Sequence, residues 1–394
     1  MLLVFVFACG GALPSDSGRD DDDDDDTELP SDDRAALPAG CGALEVDEAR
    51  TIEVEPGDDV ATVVAAARAG DVVRLAPGTY TMSRGDAADT LRFTADGVTL
   101  LGGGDAPEDV VLDGLWTTSE LIAVDTDRVT ISNLTLANAA GDALAARGAD
   151  GLWVHRVRVT EPQRNAIDVS ATLELDYSDS GILSCVTVLR GTDTCDVGVD
   201  LRQAEGWEVR GGVYDAPLCD EPGLRAATGS RGTLLDGALF RGALVAVQLG
   251  DTDYAEGEPR VYADPECAGD TVGHYGGLVR NVFVLGTARL EEACGTTVAH
   301  ASVYGGELQL AFSEGLVGTT VLAAVTDGGD ATVSGALRPT AADFVDPDAG
   351  DLHLAPGSAA RQAGVGIPTG LADVDVDGDP RPTAAPDVGA DQAD

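Results

Sequence analysis

From Thr51 onward, apolar and polar residues alternate over short runs that break on glycine, asparagine or aspartate. The opening block, TIEVEPGDDVATVVAAARAGDVVRLAPGTYTM, reads as a strand, a turn at Pro56-Gly57, an alanine-rich helix over Val60 to Arg68, and a strand from Asp71 to Leu75. Alanine favours helix and alternating β-branched residues favour strand, so the two separate cleanly. A short helix here is expected to cap a stack of strands whose end edge would otherwise invite aggregation.

Similar strands follow: GVTLLGG (97–103), RVTISNLTLAN (128–138), GLWVHRVRVTE (151–161), GILSCVTVLRG (181–191), GWEVRGGVYDA (206–216), RGTLLDGALFRG (231–242), GLVRNVFVLG (277–286), TTVAHASVYGG (296–306) and GLVGTTVLAAV (315–325). Their starts recur at irregular intervals of roughly 20–30 residues, with wider gaps at loops, which marks stacked coils. Alternation sends Val129, Ile131, Leu134 and Leu136 to an apolar interior and puts Asn133 and Asn138 at corners, where asparagine accepts left-handed backbone. Long amphipathic helices to cover an open parallel sheet are missing, which argues against a doubly wound α/β fold. An antiparallel sandwich or propeller would call for more Asn-Gly or Asp-Gly turns and more aromatics. The expected fold is all-β: a single-stranded right-handed parallel β-helix with a short N-terminal capping helix and an irregular C-terminal cap.

Composition adds a charge constraint. There are 69 acidic residues against 24 basic ones, no lysine among them, 50 glycines and only 4% aromatics, for a formal charge of −45. Like-signed fields repel, so nucleic acid is excluded as an expected partner, and a polyanion would need a local arginine patch or a bridging cation. The same acidity also serves solubility alone.

The N-terminal run MLLVFVFACGG looks like a bacterial lipobox, with Cys9 as the acylated residue and Phe7 departing from the usual small one. It lacks a basic n-region and is short, so a start further upstream is expected. Residues 1–9 are read as signal and residues 10–44 as a disordered acidic tether, since the run Asp20 to Asp26 self-repels and cannot bury a core. Residues 45–340 form the expected β-helix and 341–394 the cap. The protein is expected to be exported, outer-membrane-anchored or extracellular, monomeric, and to meet the membrane only through its lipid anchor.

Setting Cys9 aside leaves six cysteines, an even number that suits an oxidising compartment. Cys195 and Cys219 lie about one coil apart, as do Cys267 and Cys294, so these pairs are the expected disulfides. No Cys/His spacing suits zinc.

The V-x-P-G-D-D and G-D-x-V-x-L-x-P-G-T-Y segments (54–80), the serial V-x-I-x-N-x-x-L rungs and the closing segments 344–364 and 373–392 resemble bacterial right-handed parallel β-helix repeat proteins of the pectin-lyase-like superfamily. The likeness spans roughly residues 50–394. It departs at Ala359-Ala360-Arg361-Gln362, where related tails carry Pro-Ala-Ile-Asp, and at Gln392. It implies a site on one lateral face, where a groove over several coils holds an extended polysaccharide. In such lyases a base abstracts the proton α to a uronate carboxylate while Ca²⁺ or arginine stabilises the enolate; hydrolases need a carboxylate pair.

Tested against those patterns, the chain offers little. Lysine is not available as base, and the Asn-Thr-Asp, Asp-Asp, Gly-His-Gly and Arg-Ile-Lys elements of polygalacturonase-like hydrolases are missing. Arg147, Arg156, Arg158 and Arg202 lie near rung ends without distinguishing context. The candidate catalytic cluster is Asp196, Asp200, Arg202 and Glu205, where carboxylates on adjacent coils suit Ca²⁺ or acid/base work. The insertion 251–277 concentrates Tyr254, Tyr262, His274 and Tyr275, candidate sugar-binding residues because a flat ring buries a sugar's C–H face. Asp373, Asp375, Asp377 and Asp379 around Gly378 suggest a calcium loop, although Ala384 stands where an EF-hand needs an acid. His155, His300 and His353 read as structural. The expected function is engagement of extracellular or cell-wall carbohydrate without efficient catalysis; the rivals are a polysaccharide lyase or glycoside hydrolase, and an adhesion or structural surface protein.

Overall fold

The computed structural model describes residues 41–46, 50–82, 90–172, 177–190, 196–216, 220–250, 273–311, 317–328, 331–366 and 368–393. The expected helix forms at Val60–Ala66. Asp59 begins it by accepting the Thr62 N–H at 3.1 Å, and Val60 and Val64 are buried in the main core. The helix thus closes the first coil, as anticipated.

Above it, parallel strands stack coil upon coil around one apolar column. In the first sheet Thr51–Val54, Val72–Leu75 and Thr99–Gly102 pair in sequence. The series continues through residues 130–132, 153–155, 182–184, 208–210 and 234–236 to 278–280, 297–299, 317–319 and 332–334. A second sheet starts at Gly78–Thr81 and Val110–Asp113. A third runs from Glu120–Val124 through Asp142–Arg147, Ile167–Ser170, Val199–Arg202 and Leu224–Ala227. The architecture is therefore a parallel β-helix.

Alternation decides which side chains face inward. Val129, Ile131, Leu134 and Leu136 are fully buried in the column. Asn133 and Asn138 occupy corners with φ of 55° and 56°, and the Asn133 amide donates to Gly102 O at 3.0 Å one coil below. Stacking at about 4.8 Å also sets matching positions of successive coils face to face. Opposite charges at matched positions then pair: Glu53 with Arg74 at 3.3 Å, Asp215 with Arg241 at 3.1 Å, and Asp236 with Arg280 at 2.8 Å. Arginine's planar fork suits such a carboxylate better than a lysine ammonium does, consistent with a basic complement made of arginine alone.

Both terminal segments lie along the flank. Cys41 is disulfide-bonded to Cys185, Cα to Cα 5.6 Å, five coils up the first sheet from Thr51. Gly42 O takes a hydrogen bond from His155 Nε2 at 2.7 Å. At the other end Phe344, Leu352, Leu354, Ala360, Val388 and Ala390 pack on Phe283 and Leu322 of the second sheet. The irregular terminal segment is thus clasped to the side of the last coils, and Val333 of the final coil stays only half-buried.

The disulfide to Cys41 was not drawn from spacing. Cys9, Cys195, Cys219 and Cys267 lie outside the described residues, as do residues 1–40. Cys294 is disulfide-bonded, with its partner outside them too. No helix among the described residues is long and apolar enough to cross a membrane.

Candidate functional site

The terminal segments bind the first and second sheets and the corner between them. The third sheet carries the chemistry. Its outward row, one residue per coil, reads Ala145, Asp168, Asp200, Arg225, Gln248, Arg289, Gln309 and Thr326. The flanking rows, such as Ile167, Val199 and Leu224 or Val169, Leu201 and Ala226, point into the column.

Two arginines hold the acidic part of this row, and two more hold the acids of the adjoining corner. Arg225 reaches Asp200 with two hydrogen bonds, Nε to Oδ1 at 3.0 Å and Nη2 to Oδ2 at 2.9 Å. Arg202 bridges Asp168 at 2.6 Å and Asp200 at 3.4 Å. At the adjoining corner, Arg164 lies between Asp142 at 3.6 Å and Asp196 at 3.4 Å. Arg190 is buried and donates to the Asp196 carbonyl. Asp168 and Asp200 are only 5% and 3% exposed although they point away from the column. The guanidinium groups are what an approaching ligand meets first: 62% of the Arg164 side chain and 39% of that of Arg202 remain open.

Burial, and then the charge of Asp168, push the carboxyl of Asp142 up, against the pull of Arg164. Burial likewise draws the Arg190 guanidinium below its usual range, opposed by Asp196, Asp142 and Glu161. Two nearby carboxylates, Asp142 and Asp168, therefore sit in different environments, one accepting the Asn165 N–H at 3.1 Å and the other paired to Arg202. As a calcium site the cluster fits poorly, because guanidinium groups already fill the approaches to Asp168 and Asp200 that an oxygen-seeking cation would need.

Of the predicted cluster, the structure joins Asp200 and Arg202, places Asp196 on Arg164 at the adjoining corner, and sets Glu205 apart. Glu205 belongs to a short corner strand, Ala204–Glu205, and pairs with Arg231 of the next coil. Asp142, Asp168, Arg164, Arg190 and Arg225 were missed, since coil register brings together residues as far apart as Asp168 and Arg202, 34 positions. Their signal was faint: Asp168, Asp200 and Arg225 share a place in the alternating runs IDVS, VDLR and LRAA.

His274, expected to contact sugar, is not open to a ligand. Its ring is fully buried, with Nε2 3.1 Å from Thr233 Oγ1, and burial lowers its pKa to about 4. Tyr275, on the same corner strand, packs half-buried beside Cys294. Tyr254 and Tyr262 lie outside the described residues. The four aspartates near Gly378 do not gather on one point either. Asp375 accepts the N–H groups of Asp377, Asp379 and Gln392, and Asp373 accepts that of Gly370, so both serve the turn. Asp377 instead faces His353 Nε2 at 3.1 Å, with Asp391 nearby, while His353 Nδ1 meets Asp351 at 2.6 Å. Burial pulls the His353 imidazole down, but these carboxylates outweigh it and raise its pKa.

The remaining exposed aromatic feature sits at the corner feeding the third sheet. Leu115 and Trp116, at φ 51° and 58°, are the only two consecutive non-glycine residues with left-handed backbone among the described residues. Each such residue costs about 1–2 kcal/mol. The turn is held by Asp113, which accepts the Leu115 N–H at 2.9 Å, and by Asn138 O, which accepts the Trp116 N–H at 2.8 Å. Leu115 is 47% and Trp116 41% exposed, whereas Trp153 and Trp207 are buried.

Stacked parallel coils with a charged lateral row define a β-helix protein of the architecture found in polysaccharide lyases. The chain superposes on the solved structure of pectate lyase Pel9A with a TM-score of 0.63 at 13% identity, over 90% of this chain and 100% of that one. It superposes on a rhamnogalacturonan lyase with a TM-score of 0.55 at 11% identity, over 75% of this chain and 91% of that one. At such identities the likeness establishes the fold. No protein-family model matches the sequence, and no curated protein does.

Proposed function

We propose that this protein binds an extended polysaccharide along its third sheet, as an exported surface protein, without efficient catalysis. The observation that supports the reading is the row of buried Asp168 and Asp200 with Arg225, over which Arg202 stays part-exposed, flanked at the adjoining corner by the exposed Arg164. A one-residue-per-coil row of fixed polar groups matches a polymer of repeated hydroxyl or carboxylate groups, and a guanidinium whose charge is balanced by a carboxylate still offers its remaining N–H donors to such oxygens. Catalysis is disfavoured because a general base must be free to take a proton, whereas Asp168 and Asp200 are both engaged by arginine.

A lyase or hydrolase is the second reading. It is favoured by Asp142, whose raised pKa beside Asp168 is the pattern of an acid next to a charged partner. A glycan array with and without calcium, scored for both binding and cleavage products, separates the readings. The binding reading expects retention without products, weakened by Arg164→Gln and Arg202→Gln. Cleavage abolished by Asp142→Asn would establish the second instead, and silence on every glycan would sink both.

A further inference from the structure

We infer that Leu115 and Trp116 form a stacking platform for one pyranose ring of the ligand, a binding site set apart from the charged row. This rests on the polysaccharide reading and extends it to a specific contact.

A left-handed Leu-Trp pair is unfavourable in itself, and inward-turned side chains would be the normal way to recover that cost. Here nearly half of each residue stays open, so burial recovers only part of that cost, and the strain is held in place by Asp113 and Asn138. The Asn138 amide donates to Asp113 Oδ1 at 2.9 Å, which fixes the two supports to each other. In a chain with three tryptophans, the one left open stands on this brace. Its indole N–H makes no hydrogen bond among the described residues and is available to a sugar hydroxyl, while the ring face accepts the C–H face of a pyranose.

Position links the platform to the row. The turn carrying Trp116 lies directly under residues 138–140, through Trp116 N–H to Asn138 O and Ala140 N–H to Thr118 O. That turn in turn lies under residues 163–164, through Gln163 N–H to Ala139 O and Arg164 N–H to Gly141 O. Trp116 and the exposed Arg164 therefore occupy one corner, two coils or about 10 Å apart along the axis. A polymer lying parallel to the axis reaches both, with a ring on the indole and a hydroxyl or carboxylate at the guanidinium.

The full chain is titrated with polygalacturonate, alginate, xylan and a soluble β-glucan, following tryptophan fluorescence and retention in affinity gels. With at least one of them, the native protein shows a fluorescence change. Trp116→Ala weakens binding by about tenfold while the chain still melts cooperatively within a few degrees of the native Tm, and Trp116→Phe weakens it by less. Native-like binding by Trp116→Ala, with weakening by Arg164→Gln, overturns the platform and leaves the charged row standing. Weakening by Trp116→Ala with none from Arg164→Gln and Arg202→Gln keeps the platform and removes the row. A native chain that binds none of the four overturns both.

Discussion

Single residues carry some of the tightest constraints. A Cβ at Gly181 would lie 2.3 Å from the Trp207 ring, which is fully buried and donates from Nε1 to Ser178 O at 2.8 Å. Gly181→Ala is expected to destabilise by about 2 kcal/mol through overpacking, measured as a lower urea midpoint with a changed tryptophan spectrum. His274 and His300 show a different constraint. Burial holds their pKa near 4 and 3, far below the 6.5 of an exposed imidazole. The unfolded chain binds protons that the folded one refuses, so the stability from these groups is present above about pH 6.5 and falls as the pH drops toward 4. His353 has the opposite sign: its raised pKa adds stability at low pH that is lost as the pH rises through the folded value. Thermal melts from pH 7.5 to 4.5 should show a smaller loss on acidification in a His274→Gln variant than in the native chain; identical pH dependence in the two would refute the assignment of a neutral buried His274 ring.

At the scale of strands and corners, period-two alternation was legible at once. It located the inward column and the corner asparagines, and alanine content located the helix, read to Arg68 where it ends at Ala66, because each of these is local. The charged row was not legible, because it depends on which residue sits above which. Loops of unequal length between coils hide that register: Asp200 and Arg225 are 25 positions apart, Asp168 and Arg202 are 34. Glu205 was misplaced for the same reason, since closeness in sequence to Asp200 does not survive the turn of the chain. Because Asp200 is almost wholly buried, Arg225→Gln should cost about 2 kcal/mol by leaving its carboxylate short of a partner, with Arg202 limiting the loss. A double-mutant cycle with Asp200→Asn checks this: the double variant should recover part of the loss, and strict additivity would show the two side chains to be uncoupled.

Over the whole molecule, stability in a stacked fold comes mainly from contacts between neighbouring coils. The Cys41–Cys185 bond closes 144 positions of chain and ties the N-terminal segment to the side of the stack. Cys41→Ala with Cys185→Ala should lower stability by about 2–5 kcal/mol, seen in denaturant melts, and reducing agent should reproduce that share of the effect in the native chain. Composition foretold an oxidised protein but not this pairing, because cysteines five coils away from the strand they precede carry no spacing signature.

The clasp at the C-terminal end has its own consequence for how the molecule comes apart. Leu239, Phe283, Tyr304, Leu322 and Leu337, which belong to five successive coils, all lie under the terminal segment. A linear stack would normally unzip from its last turn one increment at a time. Here that route is barred until the outer layer has peeled away, so the final five turns should be lost in a single event, as a block rather than as a fraying edge.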